Sequence, residues 1–103
     1  MPRPRQLAFL GLALLLAAAA ACQARSGPER VRGLVIAVEA HSLARADRLT
    51  LRTEDGRELV FTVDASVDWT PGHLREHMAL GAPVIVEYVA RPEGLVAVRI
   101  DDG

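Results

Sequence analysis

The chain has 103 residues, a formal net charge of −1, a single cysteine, and 12 basic residues that are all arginine. Every acidic residue lies after position 22, so the chain from there on carries ten arginines against thirteen carboxylates, a net charge of −3. That balance excludes a nucleic-acid or polyanion partner, one cysteine excludes an internal disulfide, and the length allows one small domain.

The chain opens with Arg3 and Arg5, runs through an unbroken apolar stretch from Leu7 to Ala21, and reaches its cysteine at Cys22. A basic start followed by a short apolar core is the layout of a secretory signal peptide. The stretch is short for a spanning helix, which needs about 20 apolar residues. Ala20 and Ala21 directly before Cys22 resemble the lipobox of bacterial lipoproteins, although Ala19 stands where a leucine is usual. The resemblance implies cleavage before Cys22 and lipid on its thiol and new amino terminus. Gln23 stands where an aspartate would favour inner-membrane retention, so the same resemblance implies the outer membrane in a cell with two membranes. An ordinary signal peptide cut near Ala21 and an uncleaved anchor are the alternative readings. The expected division is a signal peptide over 1–21, a lipidated cysteine and tether over 22–30, and a domain over 31–102. The polar tether contains Gly27 and Pro28.

Val31 to Glu39 is rich in valine and isoleucine and reads as a long first strand, with Gly33 marking a bend or bulge. A polar connection over 40–47 follows. Arg48–Thr53 alternates, with Leu49 and Leu51 on one face, and Glu58–Val63 puts Leu59, Phe61 and Val63 on one face. Parity fixes the turn between them. A two-residue loop would set Leu51 against Val60 and mismatch the apolar faces. A three-residue loop, Glu54-Asp55-Gly56, sets Leu51 against Leu59 and Leu49 against Phe61, and the buried face decides the register. This loop requires a left-handed residue, predicted to be Gly56. Thr70–Ala79 reads as a short helix, with Thr70 as N-cap, Pro71 in the first position and Gly81 as the stop. Leu74 and Met78, four apart, are expected to face the core. Pro83–Ala90 is a fourth strand with Val84, Val86 and Tyr88 on one face. Pro92–Gly94 is a turn, Leu95–Ile100 a fifth strand, and Asp101–Gly103 a frayed end.

Three strands, a short helix and two strands is the element order of the OB fold, a small five-stranded all-β barrel. Arg32–Val38, Leu49–Gly56, Gly81–Val86 and Ala97–Ile100 resemble the matching parts of small exported bacterial OB-like domains, many of them lipoproteins of unknown function. An SH3-like barrel, also of five short strands, is the rival architecture.

The one cluster with chemical potential is Trp69, His73, His77 and Met78. Two histidines four apart share a helix face and can chelate Zn or Cu, and the thioether of Met78 would favour Cu(I). Trp69 could stack on a cation, and His41 is a remote further ligand. The periplasmic copper and silver carriers are also small OB-like barrels, and they place histidine and methionine ligands around the second and third strands. Here Arg52–Arg57 occupies that place, so the likeness does not carry their site across. The plainer expectation gives Met78 to the core and Trp69 to the open end of the barrel. Ser26, Ser42 and Ser66 lie in no nucleophile-elbow sequence, and Asp64, Asp68 and Glu76 show no sign of a pocket that would tune an acid–base pair. The expected function is therefore non-enzymatic: a lipid-anchored envelope module binding a protein or envelope component near Trp69 with no cofactor, with Zn or Cu binding at His73, His77 and Met78 as the alternative.

Overall fold

The computed structural model describes residues 27–103. The signal peptide, Cys22 and the first half of the tether expected from the sequence lie outside the described residues. The elements are β1 (Glu29–Glu39), β2 (Arg48–Thr53), β3 (Glu58–Val63), α1 (Pro71–Leu80), β4 (Val84–Arg91) and β5 (Gly94–Asp102). The strands close into a barrel in the order β1-β2-β3-β5-β4, with β4 pairing back onto β1. All pairings are antiparallel except β3 with β5. No helix among the described residues is long and apolar enough to cross a membrane.

The β2–β3 hairpin has the register that parity predicts, with Leu51 opposite Leu59 and Leu49 opposite Phe61. Its loop closes through Gly56 N–H donating to the Thr53 carbonyl at 3.0 Å, and Gly56 has φ 86°. Leu49, Leu51 and Phe61 are fully buried, while Val60, between them in parity, faces out. With Leu74 from α1 and Val84, Val86, Ala97 and Ile100 from β4 and β5, they form the core.

Strand β1 departs from the expected pattern in two ways. It opens at Glu29, where Glu29 and Arg30 pair with Tyr88 and Glu87, rather than at Val31. Its bulge falls at Ile36, not Gly33: Val35 pairs with Leu51 and Ala37 with Thr50, leaving Ile36 as the extra residue. Val31, Gly33 and Val35 face inward before the bulge and Val38 after it, so both parities of the run are used. Gly33 serves a different need. It is the residue at which β1 is paired to β2 and β4 at once, and a Cβ there would run into the Arg52 carbonyl oxygen and the Leu51 side chain.

Helix α1 begins and ends as its sequence dictates. The Thr70 hydroxyl accepts from the His73 N–H at 3.2 Å, Pro71 follows, and Gly81 closes the helix in the left-handed conformation. Burial fades along it. Pro71 and Leu74 are buried, His77 is half-buried, and Met78 is 37% exposed. Met78 is thus not a core residue, because the last turn runs past the edge of a barrel too small to cover it. The chain end is also not frayed: Asp101 and Asp102 pair with Ile85 and Val84, and Gly103 N–H donates to the Pro83 carbonyl at 3.0 Å.

Candidate functional site

Trp69 immediately precedes the N-cap of α1 and packs its half-buried indole against the edge of the core. His73 lies four residues on, and its ring stacks on the indole with centroids 4.0 Å apart and planes 10° from parallel. His77 is one further turn along, with its ring 4.9 Å from the indole and 5.0 Å from His73. The helical repeat thus brings three ring systems into one cluster at the barrel rim.

The rim also receives a residue that sequence reasoning missed. Asp102 continues the inward row of β5 two residues beyond Ile100, where the core has ended, and its Oδ1 lies 3.2 Å from His77 Nε2. One ligand atom from each of His73, His77 and Asp102 falls within 4.8 Å of the others. The sequence signal for Asp102 was its period-2 relation to Ile100, which counts only once the strand is known to continue. Met78 lies about 100° around the helix axis from His77 and about 140° from His73, off the face the two histidines share. Asp102 stands beside the imidazoles as a third donor.

The environments of the three differ. The His77 side chain is 14% exposed, that of Asp102 80%. The Nδ1 atom of His77 is buried with no hydrogen-bond partner. A buried polar atom left unpaired costs about 1–3 kcal/mol, and His77 follows the buried Pro71 and Leu74 on the packed face of α1, where an aliphatic side chain would avoid that cost. Two imidazole nitrogens and one carboxylate oxygen form a donor set suited to Zn(II) or Cu(II).

His41 is elsewhere, with Nδ1 2.6 Å from Asp47 Oδ2. That hydrogen bond holds the Asp47 carboxyl below the usual aspartate range. The pair borders a pocket of about 230 Å³ between the β1–β2 connection and the segment after β3. The serines there are engaged in turns: Ser66 donates to Asp64 Oδ2 at 2.5 Å and Ser42 Oγ accepts from Arg45 N–H. Neither of these serines is hydrogen-bonded to His41. Comparison with protein-family models, with curated proteins and with solved structures returned no match to this chain.

Proposed function

We propose that this chain is a non-enzymatic, lipid-anchored module of the bacterial cell envelope, held on the extracytoplasmic side through Cys22, with an OB-like barrel whose rim around Trp69 and α1 is its binding face. Parallel pairing of β3 with β5 and closure of β1 on β4 support the OB-like reading. The basic, apolar and small-residue layout before Cys22 supports the anchor. Two or more acyl chains would hold the barrel at a bilayer without a membrane-binding surface of its own.

The observation that carries the binding face is the Trp69 cluster. A large aromatic, fixed by stacking and set beside an exposed helix surface, is the kind of anchor on which interfaces concentrate their energy. Two experiments test the proposal. Metabolic labelling with palmitate should mark the chain that begins at Cys22 and should fail for Cys22→Ala; unchanged labelling would remove the anchor. A photo-crosslinker at exposed Glu76 on α1 should capture an envelope component in cells, whereas one at Val60 on the outer face of β3 should not. Equal capture at both positions would remove the rim as the binding face.

A further inference from the structure

We propose that His73, His77 and Asp102 form a three-ligand site for a divalent transition-metal ion of the Zn(II) or Cu(II) class, with a fourth coordination position open at the rim. The inference rests on the rim reading above and names its ligand, but metal binding and partner capture are measured separately, so either can fail alone.

Five observations carry it. Donor atoms of all three side chains already lie within 4.8 Å of one another. Two ligands of a tetrahedral ion, each about 2.0–2.1 Å from the metal, sit about 3.3 Å apart, and His77 Nε2 and Asp102 Oδ1 are separated by 3.2 Å. The ligands come from two elements, consecutive turns of α1 and the end of β5, so the site exists only when the barrel is folded. Trp69 stacks flat on the His73 ring, and the Asp102 backbone is held by its pairing with Val84. Finally, His77 keeps Nδ1 buried and unpartnered, a cost that an aliphatic side chain at this position would avoid.

The chemistry narrows the ion. Two nitrogens and one carboxylate are too few oxygens for Ca(II) or Mg(II), and this nitrogen and oxygen donor set lacks the soft sulfur ligand that favours Cu(I). Exposed His73 and Asp102 leave the outer side open to water or to a donor from a partner. His77 Nδ1 lacks the carbonyl or carboxylate that usually backs a metal-bound imidazole, an absence that weakens affinity about 10–100-fold. The site therefore suits reversible loading rather than permanent structural metal.

The test is titration of the full chain in detergent with Cu(II) and with Zn(II), following the single tryptophan and, for Zn(II), the heat of binding. The expected result is saturable quenching by Cu(II) at one ion per chain, displaced by Zn(II). His73→Ala and Asp102→Asn should each weaken binding by about tenfold or more. Both positions are exposed, so metal-free melting should show the variants folded. His41→Ala, which removes the histidine outside the cluster, should bind as the unaltered chain does. No saturable binding, or wild-type affinity in either His73→Ala or Asp102→Asn, would overturn the site.

Discussion

At the residue scale, the two imidazoles of the cluster play unequal parts. His73 is exposed, whereas His77 occupies a packing position and carries an orphaned nitrogen. Its link to Asp102 is worth little without metal, because the carboxylate is 80% exposed and solvent screens it. Replacing His77 with leucine removes the orphan and extends the apolar row of Pro71 and Leu74. The metal-free protein should gain about 1 kcal/mol and melt a few degrees higher, while losing any stabilisation by added Zn(II). A lower metal-free melting temperature for His77→Leu would show that the imidazole is structurally needed. Two glycines invite a similar comparison. Gly56→Ala meets open space but must hold a left-handed φ, which costs about 1 kcal/mol. Gly33→Ala meets backbone, the Arg52 carbonyl, and cannot be relieved by a rotamer change. It should cost about 3 kcal/mol, the upper end of overpacking. Denaturant unfolding should rank Gly33→Ala well below Gly56→Ala, and the reverse order would mean that β1 can shift where it joins both neighbours.

At the element scale, the β2–β3 hairpin shows how a sequence specifies a loop. The Thr53 hydroxyl donates to Asp55 and accepts from Arg57 N–H at 3.1 Å, and Arg57 Nε donates back to Asp55 Oδ2 at 2.8 Å. These contacts hold the Asp55 carboxyl below the usual aspartate range, the Thr53 hydroxyl foremost and Arg57 next. A carboxyl with a lowered folded pKa stabilises the fold above its unfolded value, near 3.9. That contribution disappears as pH falls through the lower folded value. Asp64 behaves alike through Ser66, and Asp47 through His41. Thermal midpoints should therefore fall between about pH 5 and pH 2, and Asp55→Asn should fall less steeply. An identical slope would mean that the hairpin carboxylate does not couple to unfolding. Helix α1 shows the limit of such local reading. Thr70, Pro71 and Gly81 mark its ends by backbone chemistry alone. Which residues it buries depends on where the barrel stops, so spacing that sends Met78 inward is overruled at the barrel's edge, where Met78 is left 37% exposed.

At the scale of the whole molecule, legibility follows the range of the interaction. Strands β2 and β3 could be read, register included, because one face of each is buried and their loop is short. The β1 bulge could not, because Val31 to Val38 offers apolar residues at both parities and only pairing with β2 selects among them. The candidate site divides the same way: His73 and His77 are neighbours through helical geometry, whereas Asp102 joins them only once β5 is paired to β4 along its full length. Barrel closure is likewise invisible locally, since β3 and β5 are separated by α1 and β4. That closing seam is short, running Phe61–Val63 against Leu95–Ala97 and extended by Asp64 N–H donating to the Ala97 carbonyl at 2.9 Å. It is also the one parallel pairing, slightly weaker per residue than an antiparallel ladder. By contrast β4 and β5 run together from Val84–Asp102 to Arg91–Gly94. Local opening favours the element with least to lose, so the barrel should breathe at β3–β5 before it unzips elsewhere. Native-state hydrogen exchange should find the seam amide of Asp64, which donates to the Ala97 carbonyl, less protected than those of Val86 and Ile100. Because Asp102 hangs from the far end of β5, Zn(II) should slow exchange there and along β4 and leave the seam nearly unchanged. Protection rising uniformly across the barrel would instead make closure and the rim one cooperative unit, and a seam as protected as β4–β5 in the absence of metal would rule out opening at this pairing first.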